Sequence, residues 1–133
     1  MTIILDSDVI IAGARGTLDL ERWLASQPGE RFEVAAITVA ELWYGVERAT
    51  PAHRAKRQQY VENILASMQT IPYTEQTARQ HARLWAELES SGRMIRDYDL
   101  IVAATALERG NAVAPFNVRH FSVVRGLKVI EPK

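Results

Sequence analysis

The chain has 133 residues, of which 47% are hydrophobic and 24% are charged, a composition typical of one globular domain that excludes general disorder. Sixteen basic side chains balance sixteen acidic ones, so the chain lacks the strongly basic surface of a histone-like protein that coats polyanions. There is no cysteine, which excludes a disulfide scaffold, a thiolate zinc site and a cysteine nucleophile.

The charges are unevenly distributed along the chain. Residues 1–50 hold four Lys or Arg against eight Asp or Glu, and residues 51–133 hold twelve against eight. Such a division suits a metal site beside an anion-binding surface, or equally two solvated faces. The N-terminus has no basic segment leading into a long apolar one, and no run of about 18 uncharged apolar residues occurs. We therefore expect a cytoplasmic protein with no contact with a membrane.

The first predicted elements alternate between strand and helix. Thr2–Leu5 is a short, mainly apolar run rich in β-branched residues, which is typical of a strand buried in a parallel sheet. It leads directly into Asp6 and a helical stretch, and a second helix is predicted at Asp19–Ala25. A second strand is predicted at Phe32–Ile37, followed by a helix over Thr38–Ala49.

The rest of the chain continues this alternation. In the helix that follows Thr74, apolar spacing predicts one apolar face, formed by Ala78, His81, Ala82, Trp85 and Leu88. The other predicted elements are a long helix after Thr50–Pro51, an extended piece at Thr70–Pro72, an apolar helix from Asp97 to Arg109, and short strands at Val113 and Val129–Ile130. Strands separated by helices predict an α/β fold with a small, mostly parallel sheet, in one domain over residues 1–133.

Three carboxylates occupy positions where ligands bind in parallel sheets. Asp6 directly follows the first strand, Glu41 lies one turn into the helix after the second, and Asp99 lies in the first turn of the last apolar helix. Because ligands of open parallel sheets bind outside the carboxyl ends of the strands, we expect the three side chains to converge there. Oxygen ligands without cysteine favour Mg²⁺ or Mn²⁺ over zinc.

Each of these acids also has a purely structural explanation. Asp6 can cap the first helix, and Asp99 can complement a helix dipole. Thr38 and Glu41 fit a capping box, in which the glutamate reaches back to the backbone N–H of the capping residue. Spacing alone leaves both explanations open for every one of the three.

Four segments in order resemble the successive motifs of PIN-domain ribonucleases, and their order and the chain length resemble VapC-type toxins of toxin–antitoxin pairs. The resemblance covers nearly the whole chain. The segments are Ile4-Leu5-Asp6-Ser7-Asp8-Val9-Ile10-Ile11, Ile37-Thr38-Val39-Ala40-Glu41-Leu42-Trp43-Tyr44-Gly45, Tyr98-Asp99-Leu100-Ile101-Val102-Ala103-Ala104-Thr105-Ala106-Leu107, and Phe116-Asn117-Val118-Arg119-His120-Phe121 with Gly126-Leu127 after it.

The resemblance implies roles for individual residues. The three acids that match the family's Mg²⁺ or Mn²⁺ ligands, and its catalytic acids, are Asp6, Glu41 and Asp99. Ser7 matches a small hydroxyl position beside the metal, and Asn117 matches the polar residue of the last motif. Two positions depart from the family pattern: Pro115 replaces a usual threonine, and His120 occupies the place of a frequent fourth acid, where an RNA contact, a proton donor or a structural histidine are all open.

The resemblance implies a metal-dependent endoribonuclease that cleaves RNA with water as the nucleophile, and that is neutralised by a small antitoxin. It also implies a homodimer, for which the apolar surface around Tyr60, Ile64 and Met68 is a candidate. Two alternatives stay open. Asp6-Ser7-Asp8 after a strand also resembles a haloacid-dehalogenase-type phosphatase, and a catalytically inactive PIN-like interaction module is the other.

Overall fold

The computed structural model describes all residues from Met1 to Lys133. Its elements in chain order are β1 (Thr2–Leu5), α1 (Ser7–Arg15), α2 (Leu20–Ala25), β2 (Arg31–Ala35), α3 (Ala36–Arg48), α4 (Pro51–Ala66), β3 (Gln69–Ile71), α5 (Glu75–Ser90), α6 (Asp97–Arg109), β4 (Ala112–Ala114) and α7 (Val118–Ser122). None of the helices combines the length and the apolar character needed to cross a lipid bilayer.

The four strands form one parallel sheet in the order β3-β2-β1-β4. Ile3 of β1 pairs with Phe32 of β2 on one side and with Ala112 of β4 on the other. Val129 adds an isolated parallel bridge to Val113, where a last short strand was predicted. Parallel pairing requires a crossover between strands, and the helices supply it. The predicted α/β fold with a small parallel sheet is confirmed.

Neighbouring residues of each strand face opposite sides of the sheet, and each side has its own apolar core. Ile4 and Val113 belong to a cluster with Leu84, Leu100 and other residues of α5 and α6. Their neighbours in β1 and β4 belong to a second cluster with residues of α1 to α4; those neighbours are Ile3, Leu5, Ala112 and Ala114. The two cores fix the sheet between two layers of helices. Because all strand pairs are parallel, the carboxyl ends of the strands lie at one edge.

The predicted capping box at the start of α3 is wrong. β2 ends at Ala35 and α3 begins at Ala36, so Thr38 lies inside the first turn and Ala35 is the capping residue, with no side-chain hydrogen bond. Thr38 is fully buried, and its hydroxyl has no hydrogen-bond partner. Ile37, predicted to end the strand, packs as a helical residue on the core beside α5 and α6. Glu41 is therefore not explained by capping.

Two predicted apolar surfaces also differ from the structure. Thr77, Leu84 and Leu88 form the buried face of α5, whereas Trp85 is 50% exposed. Apolar residues stand on both sides of this helix, so spacing alone did not identify the buried side. The surface around Tyr60 belongs to the core on the α1–α4 side of the sheet: Ile64 and Met68 pack there too, and the Tyr60 hydroxyl donates to the Ile10 carbonyl at 2.9 Å.

The unpaired hydroxyl of Thr38 gives a stability test. Valine has nearly the same shape without the polar group, so Thr38→Val should raise the free energy of unfolding by about 1 kcal/mol, as measured by urea denaturation. A hydroxyl that caps α3 would instead make the same variant about 1 kcal/mol less stable. Thr77→Val is the matched comparison, because the Thr77 hydroxyl does bond to the backbone N–H of Thr74, and it should destabilise the protein.

Candidate active site

Asp6 lies at the junction between β1 and α1 and is 3% exposed. Its backbone is extended, and its Oδ1 accepts a hydrogen bond from the Ser7 N–H at 2.9 Å, so the residue caps α1. The capping explanation for Asp6 is thus confirmed. It accounts for only one carboxylate oxygen, and a buried carboxylate needs more neighbours than one N–H to remain ionised.

Two further carboxylates near Asp6 come from α3, which follows β2, and from α6, which follows α5. Glu41 is half-buried on α3, and Asp99, 5% exposed, lies in the first turn of α6. Burial raises the pKa of Asp6 from 3.8 to about 8, with the charges of Asp99, Asp8 and Glu41 adding to the effect in that order. Asp6, Glu41 and Asp99 are therefore near enough to act on one another electrostatically.

The other two carboxylates respond to the same surroundings. Burial also raises the pKa of Glu41, against an opposing hydrogen bond from the Ser7 side chain. Burial raises the pKa of Asp99, while the charge of Arg96 and the side chain of His120 act in the opposite direction. The energetic cost at this edge is desolvation first and repulsion between carboxylates second.

A chain of hydrogen bonds runs outward from Asp99. The Nδ1 atom of His120 lies 3.2 Å from Oδ2 of Asp99, and its Nε2 lies 3.3 Å from the amide nitrogen of Asn117. With the amide donating to Nε2, the other ring nitrogen donates to Asp99. His120 and Asn117 thus reach the acids from α7 and the loop after β4.

Two residues at this edge were not predicted to belong to the site. The Asp8 carboxylate acts electrostatically on Asp6, Glu41 and Asp99, and its Oδ2 lies 3.8 Å from Nη1 of Arg96. We call Asp6, Asp8, Glu41 and Asp99 the acid cluster. Asp8 stands in the first motif and Arg96 just before α6, but no spacing rule indicates where an exposed arginine points.

The donors of the acid cluster suit a hard divalent cation. All are carboxylate oxygens, which Mg²⁺ and Mn²⁺ prefer, and the cluster contains no sulfur and no histidine pair that would favour zinc. Their positions are not those of a closed cage, since no three His, Cys, Asp or Glu side chains are close enough together to hold a metal ion. The residues fit such an ion in chemistry, and side-chain adjustments are needed to complete the coordination.

Pro115, which follows β4 directly, is buried. A proline contributes no hydroxyl and no backbone N–H, so this position offers the edge of the sheet no hydrogen-bond donor. Asn117 and His120 are therefore the polar side chains that this part of the chain directs to the acid cluster.

Comparison with known proteins identifies the family of this chain. The PIN domain family matches residues 3–127. The chain is 32% identical to the VapC ribonuclease Y4jK of Sinorhizobium fredii, with 98% of this chain and 96% of that protein covered. The range matched by the family, residues 3–127, includes all of the sheet except Thr2 and every residue of the acid cluster.

Solved structures show the same fold. VapBC2 of Rickettsia felis, bound to a DNA fragment from its promoter, contains a chain that superposes with a TM-score of 0.92 at 20% identity and full coverage of both chains. VapBC-5 of Mycobacterium tuberculosis, a member of the VapBC family of toxin–antitoxin systems, contains a chain with a TM-score of 0.79 and 32% identity, with 98% of each chain covered. The chain therefore belongs to the PIN-domain family and, within it, to the VapC ribonucleases, the toxins of VapBC toxin–antitoxin systems.

Proposed function

We propose that this ribonuclease hydrolyses RNA phosphodiesters at the acid cluster, with Asp6, Glu41 and Asp99 holding Mg²⁺ or Mn²⁺. The observation that carries the proposal is that Asp6 and Asp99, which are buried, and Glu41, which is half-buried, act on one another electrostatically at one edge of the sheet. Burial first and these neighbouring charges second raise the pKa of Asp6 to about 8. A cluster with this charge is destabilising unless a cation neutralises it. The whole chain, residues 1–133, acts as one PIN-like domain in this proposal.

Each of the three acids has a defined task. Asp6 must lose its proton before it can serve as a ligand, which couples metal affinity to pH. Glu41 and Asp99 supply the remaining charge from α3 and α6. When bound, the divalent ion lowers the pKa of a water molecule and polarises the phosphate oxygens.

Three polar residues orient the acids in this proposal. His120 donates to Asp99 at 3.2 Å and thereby fixes the direction of its carboxylate, as neighbours of metal ligands commonly do. Asn117 holds the imidazole from the other side at 3.3 Å. Ser7 contributes a hydroxyl beside Glu41 and its backbone N–H to Asp6.

We further propose two protein partners. The first is a small cognate antitoxin that covers the acid cluster, since relatives such as VapBC-5 are toxin–antitoxin complexes. The second is another copy of the same chain in a homodimer. Tyr60, Ile64 and Met68, the candidate surface for that contact, are partly buried against the core on the α1–α4 side of the sheet.

The raised pKa of Asp6 predicts a pH dependence of stability in the absence of metal. The folded protein keeps the Asp6 proton up to about pH 8, while the unfolded chain loses it near 3.8. Between these values the unfolded state binds fewer protons, so this carboxyl makes stability fall as the pH rises. In chelator, Asp6→Asn should remove part of that fall and be more stable than the wild type near the upper end of the window, by urea unfolding. A variant with an unchanged pH profile would contradict the burial of an ionisable Asp6.

The catalytic assignment of Glu41 is tested by Glu41→Gln. The amide keeps the shape and hydrogen-bonding reach but removes one charge from the metal site, so RNA cleavage in Mg²⁺ or Mn²⁺ should drop by about 100-fold or more while the fold is retained. Cleavage of a mixed RNA panel, with circular dichroism as the folding check, measures this. Glu47→Gln, an exposed change on the same helix, is the control and should keep full activity.

Equal activity in the two variants would remove Glu41 from the site. An inactive interaction module predicts a different outcome, namely no divalent-dependent cleavage by the wild type itself.

A further inference from the structure

Arg96 lies at the rim of the acid cluster and has no role in the function described above. It is the capping residue of α6, three positions before Asp99, and it makes no side-chain capping bond. Its side chain is 55% exposed, and its Nη1 lies 3.8 Å from Oδ2 of Asp8, whose side chain is 39% exposed. The arginine thus reaches from the start of α6 to α1, across the edge where the acids converge.

The positive charge of Arg96 acts on two of the proposed metal ligands, Glu41 and Asp99. Burial raises the pKa of both Glu41 and Asp99, and the positive charge of Arg96 opposes that effect at each of them. An RNA phosphate that approaches the acid cluster meets four carboxylates, and one divalent ion neutralises only two of their charges. A second cation at the rim is needed for the phosphate to remain there.

The ion pair between Arg96 and Asp8 is weak enough for another anion to replace Asp8. The guanidinium and the carboxylate are only within ion-pair distance at 3.8 Å, and both are solvated, so the pair contributes little to stability. A guanidinium binds two phosphate oxygens at once, in a geometry that is stronger than such a single-atom contact. A phosphate at the rim therefore competes well with Asp8 for the arginine.

We propose that Arg96 binds a phosphate of the RNA strand beside the cleavage point, leaving Asp8 as it does so. This inference rests on the proposed function, because it places the substrate at the acid cluster. Arg96 is specific for phosphate and not for base, so its contribution is the same for every RNA sequence.

The salt dependence of RNA binding tests the proposal. The probe is a short fluorescein-labelled single-stranded RNA of mixed sequence, with Ca²⁺ in place of Mg²⁺ to slow cleavage and anisotropy as the readout. In Arg96→Gln the Kd should rise roughly tenfold, and the slope of log Kd against log salt should fall by about 0.7, the value for one lost phosphate contact on a single strand. In cleavage assays the KM should rise with it.

Arg93 in the same loop is exposed and forms no ion pair, so Arg93→Gln is the matched control and should leave both Kd and slope unchanged. Arg96→Lys keeps the charge but not the two-oxygen geometry, and it should retain the slope with part of the affinity lost. Thermal melting confirms that each variant is folded.

The proposal is overturned if Arg96→Gln has the same slope as Arg93→Gln. It is also overturned if Arg96→Gln changes only thermal stability or metal affinity, since a residue that merely neutralises the acids would do that. A separate result would show that the metal proposal is wrong: RNA cleavage by the wild-type protein would then not depend on Mg²⁺ or Mn²⁺.

Discussion

The repulsion and desolvation of carboxylates at the carboxyl edge of the sheet are the constraint on which the site depends. Asp6 and Asp99 are 3% and 5% exposed, so their ionised forms are poorly hydrated. The apolar cores on both faces of the sheet hold β1, α3 and α6 in place, so the backbone positions of the acids are fixed. In the proposed function, a cation that binds at this edge restores the stability lost there.

The same constraint explains what the residues around the acids do. Two groups oppose the raised pKa of Asp99: Arg96 by its charge, and His120 by a hydrogen bond and by its charge. The histidine belongs to the ordered chain that ends at Asn117, whereas the arginine is held only by the solvated carboxylate of Asp8. A fixed group suits orientation of a ligand, and a loosely held cation suits contact with a substrate that arrives and leaves.

The sequence was sufficient to predict the parallel sheet, but not the caps and contacts of the residues around the acids. Alternating apolar strands and helices specify a parallel sheet, and a parallel sheet brings Asp6, Glu41 and Asp99 to one edge. The sequence predicts Thr38 as a capping residue because a threonine three positions before a glutamate fits both a capping box and a buried first turn of a helix. Trp85 was placed inside because α5 has apolar residues on two faces, and Arg96 was missed because its direction depends on where Asp8 stands in the folded chain.

The central claim is that three carboxylates from different elements act as one divalent cation site. Electron paramagnetic resonance of free Mn²⁺, titrated with protein near pH 8 where Asp6 loses its proton, tests it most directly. The account predicts saturable Mn²⁺ binding to the wild type that is lost in Asp6→Asn and in Asp99→Asn and is retained in Glu47→Gln. Equal Mn²⁺ binding by all four proteins, or none by the wild type, would contradict it.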